Sequence, residues 1–173
     1  MPHRIKVRSA EAGDAEAIHA LLQPQADQRV ILPRSLDDIF QHLQEFLVAE
    51  YDGRVAGAAA LHVYTSTLAE IRSLVVDDSA RHHGVGTLLV EGCEKWAAGL
   101  GISRLFALTY VTGFFLRQGY EEVSKETFPH KIWTVCVHCA KFADCDEVAV
   151  QKSLAEGPVK PMRLIPLIET EEK

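Results

Sequence analysis

The segment richest in chemistry is Val75-Val76-Asp77-Asp78-Ser79-Ala80-Arg81-His82-His83-Gly84-Val85-Gly86-Thr87-Leu88-Leu89. An apolar run ends, a polar loop carries an arginine, and two glycines two apart open a helical pattern. Glycine permits a tight turn and lets a ligand approach the main chain. The first turn of a helix leaves N–H groups unpaired, with the positive end of the helix dipole behind them. The segment is therefore a cradle for phosphate or pyrophosphate with Arg81 at its rim, or a strand-to-helix loop that binds no ligand. A second cluster is Cys136-x2-Cys139-x5-Cys145, with His130 and His138 nearby. It has the donors of a Cys3His zinc site, or it is a set of ordinary thiols. The uneven gap argues for thiols, and no metal is assigned. Cys93 falls inside an apolar helical pattern and reads as a small buried hydrophobe.

A fold must carry these groups. Residues 4–8 alternate polar and apolar side chains, as a half-buried strand does. Ala15, Ile18, Leu21 and Leu22 recur at helical spacing, and Pro24 is expected to end that helix. Ser35 suits an N-cap, with Asp38 completing a capping-box variant, for a second helix whose apolar face is Leu36, Ile39, Phe40 and Leu43. Phe46 to Tyr51 and Val55 to Val63 predict two strands joined at Asp52-Gly53, a hairpin turn. Ile71 to Val76 predicts a third. Val85, Leu88, Leu89, Gly92, Cys93 and Trp96 line one face of a long helix, for which Gly99 or Gly101 offers a left-handed cap. Ile102 to Leu108 reads as a buried strand, Thr112 to Gln118 as a short helix, and Gly119-Tyr120 as the opening of another strand. Gly157-Pro158 and Pro161 mark an irregular tail, in which Met162 to Ile168 offers an edge strand. The order β-α-α-β-β-β-α-β-α-β predicts one α/β or α+β domain over residues 1–154 around a mixed sheet, with a tail at 155–173.

The 173 residues are 47% hydrophobic and 24% charged, the proportions of a globular domain. Eighteen basic against twenty-four acidic residues give a net charge of −6, which argues against nucleic acid as a partner. No apolar run approaches the ~20 residues that span a bilayer. The opening residues lack the apolar core of a signal peptide, so a cytoplasmic location is expected, with no membrane partner. Oligomeric state, up to a homodimer, is left open.

Arg81-x-x-Gly84-x-Gly86 resembles the R/Q-x-x-G-x-G/A pyrophosphate motif of the GCN5-related N-acetyltransferases. Ile102-Ser103-Arg104-Leu105-Phe106-Ala107-Leu108-Thr109 and Phe114-Phe115-Leu116-Arg117-Gln118-Gly119-Tyr120 resemble that family too, as does the order of elements over about residues 4–123. The resemblance implies a mixed, mostly antiparallel twisted sheet flanked by helices, with splayed central strands between which the pantetheine arm of acetyl-CoA lies. It implies that main-chain groups of Leu74, Val75 and Val76 pair with pantetheine, and that the Leu74 N–H polarises the thioester carbonyl. Amides of Arg81, His82, His83, Gly84, Val85, Gly86 and Thr87 would hold the pyrophosphate. Transfer would be direct, in a ternary complex, without an acyl-enzyme, which leaves Cys93 no part as nucleophile.

A narrower resemblance lies in Leu32-Pro33-Arg34-Ser35, in Ala69-Glu70-Ile71-Arg72-Ser73-Leu74-Val75-Val76, and from Pro129-His130-Lys131-Ile132-Trp133 through the cysteines to Val150. These look like the short, acetyltransferase-only N-acetylglutamate synthases, which implies L-glutamate as acceptor. On that resemblance Arg34 is the first choice for a carboxylate clamp, because guanidinium binds carboxylate bidentately. Arg72 and Lys131 come next, and Glu70 is the general base. Phe115 stands beside the cofactor where many relatives have a tyrosine that protonates the leaving thiolate, which leaves Tyr110 as the alternative acid where the fold brings its hydroxyl near sulfur, and otherwise a thiolate that leaves unassisted or takes its proton from water. Two other readings remain: an acetyltransferase for a different amine (another amino acid, a polyamine, a protein N-terminus), or a non-catalytic acetyl-CoA or amino-acid sensor, which the missing hydroxyl at Phe115 would suit.

Overall fold

A computed structural model describes residues 4–129, 134, 136–139, 141 and 143–154. His130, Lys131 and the tail with its expected edge strand lie outside the described residues. The strands are β1 (Ile5–Ser9), β2 (Phe46–Tyr51), β3 (Arg54–Val63), β4 (Leu68–Val76), β5 (Arg104–Thr109), β6 (Glu121–Val123) and β7 (Val148–Ser153). The helices are α1 (Ala15–Asp27), α2 (Leu36–Gln41), α3 (Val85–Gly99) and α4 (Thr112–Leu116). The strands form one sheet in the order β1-β2-β3-β4-β5-β7-β6. Every pairing is antiparallel except β4 with β5. No helix among the described residues is long and apolar enough to cross a membrane.

Both faces of the sheet are covered, so β2 and β3 read as nearly continuous apolar runs. On one face α3 sets Leu89, Val90, Cys93 and Trp96 against Leu47, Ala49, Ala59 and Leu61. On the other, Ile18 and Leu22 of α1 and Ile39 of α2 meet Phe46, Val48, Ala58 and Ala60. α3 lies so close to the sheet that a Cβ on Gly57 would come within 3.0 Å of Leu89 and Val85, and one on Gly92 within 3.0 Å of Leu47. A third cluster, Leu68, Phe106, Phe128 and Ala149, stacks the rings of Phe106 and Phe128 4.1 Å apart at the far end of the sheet.

Four expectations need correction. α1 runs through Pro24 to Asp27. A proline removes one N–H bond and crowds the carbonyl four residues back, but the last turn is still closed by Gln28 N–H on the Pro24 carbonyl (3.2 Å) and by Gln23 on Asp27 (2.8 Å). The Ser35 cap forms, accepting from the Asp38 N–H at 3.1 Å, but the Asp38 carboxylate engages Arg34 and His42 rather than completing a capping box. β4 begins at Leu68 rather than Ile71, because the Thr65 hydroxyl accepts from the N–H groups of Thr67 and Leu68 and closes the turn early. A seventh strand, β7, inserts between β5 and β6. Its apolar part is only Val148-Ala149-Val150, and its register is set by partners over forty residues upstream in β5.

Candidate active site

The site begins where two strands part. β4 and β5 pair only at Leu68–Arg104, Ala69–Leu105 and Glu70–Phe106. Beyond Glu70 no strand among the described residues pairs with that edge of β4, while β5 stays paired with β7 along its whole length. Leu74, Val75 and Val76 lie on this open stretch. On its other side β4 pairs with β3, with a register shift opposite Ala59 that coincides with Ser73 at φ +53°. A non-glycine residue in that region is uncommon, and a bulge there re-aims the groups that follow. Nothing in the residue types marks Ser73 in advance.

β4 leads into the expected anion cradle. The loop is pinned to β3 by the Asp77 N–H on the Ala56 carbonyl (2.8 Å). The Asp77 carboxylate accepts from the Ser79 N–H (3.0 Å) and from Arg54 (3.3 Å), and the Ser79 bonds hold its carboxyl below the usual range. Gly84 is the N-cap of α3 at φ +85°, with nothing within 4 Å of the position a Cβ would take. That leaves open approach to the unpaired N–H groups of the first turn of α3. A Cβ on Gly86, by contrast, would come within 3.3 Å of the Phe114 ring, so α4 closes one side of the turn. Arg81 is half exposed and paired with Asp78 at 2.9 Å, His82 takes φ +64°, and the His83 ring lies 5.2 Å from Tyr51. An extended thiol-bearing chain along the open edge of β4, with its diphosphate at this turn, fits these groups.

Phe115 differs from expectation. It is 3% exposed and packs edge-on against Phe114 and Tyr120, so its ring belongs to the core and Phe114 meets the glycine turn. Cys93 is fully buried, and burial pushes its thiol up to about 12, which leaves no thiolate at neutral pH.

At the mouth of the split lies a cavity of about 820 Å³, to which Ser73 and Leu108 contribute from the two parted strands. It brings together Arg34, Glu70, Arg72 and Tyr110, drawn from three places in the chain. Arg34 precedes α2. Its Nε sits 2.5 Å from Asp38 and its guanidinium lies 5.0 Å over the Phe46 ring. The side chain is 8% exposed, yet Nη1 is buried with no hydrogen-bond partner among the described residues. Arg72, on β4, donates from Nη2 to Glu45 (3.1 Å), while its Nε is buried and equally unpartnered among the described residues. A buried guanidinium N–H without an acceptor is costly, so each calls for an oxygen from beyond the described residues, whether of water, ligand or chain.

Glu70 is 2% exposed and accepts from the Tyr64 hydroxyl at 2.9 Å. Burial and the charge of Glu70 push that hydroxyl well above its usual range, so Tyr64 remains a donor. The Tyr110 hydroxyl donates to Asp146 (2.7 Å) and accepts from Lys141 (3.0 Å). Lys141 pulls the Tyr110 hydroxyl down, but burial and the bond to Asp146 outweigh it and leave it raised. Glu45, Lys141 and Asp146 escape sequence reasoning because each acts through a neighbour distant in the chain, and Tyr64 because only the turn at Thr65 folds it back onto Glu70. Cys136, Cys139 and Cys145 are half-buried on the cavity wall and form no disulfide among the described residues. Among the described residues no three His, Cys, Asp or Glu side chains group closely enough to hold a metal.

The chain's sequence supplies independent support. Residues 15–120 match the model of the acetyltransferase (GNAT) family. An uncharacterized N-acetyltransferase of Chlorobaculum tepidum is 45% identical over 148 residues, 86% of this chain and 96% of that one. An amino-acid acetyltransferase of Mycobacterium tuberculosis is 35% identical over 150 residues, 82% of this chain and 86% of that one. Among solved structures, the N-acetylglutamate synthase of Neisseria gonorrhoeae, complexed with coenzyme A and N-acetyl-glutamate, matches with a TM-score of 0.79 and 29% identity. That match spans 88% of this chain but 36% of the synthase. The split sheet and its glycine turn thus have their explanation: the chain belongs to the acetyltransferase (GNAT) family and is an N-acetyltransferase whose cosubstrate is acetyl-CoA.

Proposed function

We propose that the acceptor is the α-amine of an acidic amino acid, L-glutamate first, and that the product is its N-acetyl derivative. The observation that carries this reading is that Arg34 and Arg72 line one cavity with a carboxylate, Glu70, and that each keeps a buried guanidinium N–H, Arg34 Nη1 and Arg72 Nε, without an acceptor among the described residues. Two cations suit a ligand with two carboxylates. The relatives named as amino-acid acetyltransferases, and the N-acetyl-glutamate complex of the gonococcal enzyme, support it.

In this reading Arg34 and Arg72 orient the acceptor by its carboxylates, and Lys131 is a third cation that lies outside the described residues. An amino acid's amine is mostly protonated at neutral pH, so Glu70 takes its proton, directly or through water, before attack. Acetyl-CoA supplies an activated acyl group for direct transfer. The Leu74 N–H, just past the Ser73 bulge, stabilises the oxyanion, and main-chain groups of Val75 and Val76 hold the pantetheine arm. Amides from Arg81 to Thr87 bind the pyrophosphate, and Tyr110 turns its one hydroxyl proton from Asp146 to the leaving thiolate, with Lys141 holding its oxygen. An assay of CoA thiol release over a panel of amines tests the acceptor. Glutamate is expected to give the highest kcat/KM; release with another amine and none with glutamate overturns the reading.

A further inference from the structure

Behind Arg72 stands a cluster to which no role has been given. Glu45 ends a single 3-10 turn, Leu43–Glu45, that runs directly into β2. His62, on β3, lies opposite Glu70 on β4, two residues before Arg72. His62 and Arg72 line the cavity; Glu45 does not, and touches both of them.

The distances are informative because His62 Nδ1 lies 3.0 Å from Glu45 Oε1 and also 3.0 Å from Arg72 Nη2. A ring nitrogen is a donor or an acceptor, never both at once. As an acceptor, Nδ1 would serve Arg72 but turn its lone pair toward a carboxylate oxygen. As a donor it serves Glu45, whose other oxygen takes the Arg72 N–H at 3.1 Å, and Glu45 then bridges both neighbours. Burial alone would raise the Glu45 carboxyl, yet His62 and Arg72 together hold it below the usual range, so the bridge is charged.

Charge then decides what happens at Arg72. Glu45 already cancels its guanidinium, so a substrate carboxylate arriving at Arg72 Nε meets a neutral pair. The groups facing His62 are Glu45 from the turn before β2, Glu70 and Arg72 from β4, and Tyr64, whose ring meets it edge-on at 4.8 Å. The Arg72 guanidinium stands 3.0 Å from the His62 ring nitrogen, so a carboxylate bound at Arg72 offsets the charge nearest that ring, and a proton on Nε2 in turn holds Glu45 and frees Arg72 for the carboxylate.

We infer that Glu45 and His62 are positioning residues for Arg72, and that a carboxylate binding there draws a proton from solvent onto His62 Nε2. The inference rests on the proposed acidic acceptor. Binding and protonation strengthen each other by the same factor, because linkage is reciprocal.

The test titrates N-acetyl-L-glutamate, which has no titrating amine, into the full chain saturated with CoA. Calorimetry at one near-neutral pH, in buffers of different ionisation heat, counts the protons exchanged. The wild type should take up a fraction of a proton, and His62→Gln and Glu45→Gln should take up none. His62→Gln should also raise the glutamate KM about fivefold, the weight of one hydrogen bond, and leave the acetyl-CoA KM in place. Binding without uptake in the wild type, or with undiminished uptake in both variants, overturns the inference and leaves the glutamate reading standing. No binding of N-acetyl-L-glutamate, together with an Arg72→Ala variant of unchanged glutamate KM, overturns both.

Discussion

Where β4 runs toward α3, the groups on offer belong to the main chain: the edge from Ile71 to Val76, which no strand among the described residues pairs, the left-handed turn at Gly84 and the helix-start amides that follow. At the cavity they are charged side chains, brought from the coil before α2, from β4 and from the end of β5. The first half depends on backbone geometry and tolerates most side-chain exchanges, glycine excepted. The second depends on a few ionic groups held by partners such as Asp38, Glu45 and Tyr64. On the proposed assignment, an exchange of cavity side chains would change the acceptor and leave the cofactor groups in place, because the two sets meet at the bulge at Ser73.

Substitutions that strike one half alone test this division. The largest effect is expected at Glu70. Glu70→Gln keeps the volume of the buried side chain and an acceptor for the Tyr64 hydroxyl, so the fold should survive. It removes the proton acceptor, and kcat should fall about 100-fold with both KM values little changed. Steady-state kinetics in both substrates decides it, and an unchanged kcat would remove Glu70 from the mechanism. Next comes Arg34→Ala, which deletes a charge-assisted contact to the acceptor. The glutamate KM should rise about 30-fold while the acetyl-CoA KM moves less than about twofold. Gly84→Val should do the reverse. A β-branched residue at φ +85° costs about 1–2 kcal/mol, and its side chain would occupy the space through which a diphosphate approaches the helix. An acetyl-CoA KM raised about tenfold, with the glutamate KM unmoved, is the expected result. Equal changes in both KM values for either variant would show that the halves are not separate.

The halves also differ in how far they can be read from residue order. The cofactor half is local: strand, loop, glycines and helix are contiguous, so the spacing Arg81-x-x-Gly84-x-Gly86 and the apolar face of α3 predict the cradle before any tertiary contact is known. The same locality makes the β2–β3 hairpin at Asp52-Gly53 and the Ser35 cap legible. The acceptor half is assembled by topology. Arg34 and Arg72 can be picked out by resemblance, but only the folded sheet shows that both keep a buried N–H without an acceptor among the described residues. Glu45 is one glutamate among many until β2 pairs with β3 and sets it beside His62 and Arg72. Ser73 shows the limit most plainly, since serine carries no preference for the left-handed region and the bulge comes from the mismatch between β3 and β4. β7 is missed for a related reason: half of its residues are polar, and only pairing on both sides makes them a strand.

A third ionic cluster belongs to neither half and sharpens the comparison by its smaller, different signature. Asp14, at the start of α1, accepts from Arg8 of β1 at 2.6 and 3.0 Å and from the Glu11 N–H at 2.7 Å, while Arg8 also reaches Glu50 on β2 at 2.7 Å. This cluster ties the first helix to the edge of the sheet, away from the cavity wall. The Arg8 bonds, helped by the Glu11 N–H, hold the Asp14 carboxyl below its ordinary value. A group with a depressed value in the folded state stabilises the fold fully above its unfolded value, near 3.8, and loses that contribution as pH falls through the folded one. Asp14→Asn should therefore cost about 2 kcal/mol at neutral pH, a loss of about 4–8 °C in Tm for a chain of this size, with both KM values unchanged. Urea unfolding of the two proteins across the acid range checks the sign. Their gap in stability should be constant at neutral pH and narrow below about pH 4, as the wild-type carboxylate is itself protonated. A gap that persists unchanged into acid would make the contact one of shape rather than charge, and a shifted glutamate KM would place Asp14 within reach of the acceptor half after all.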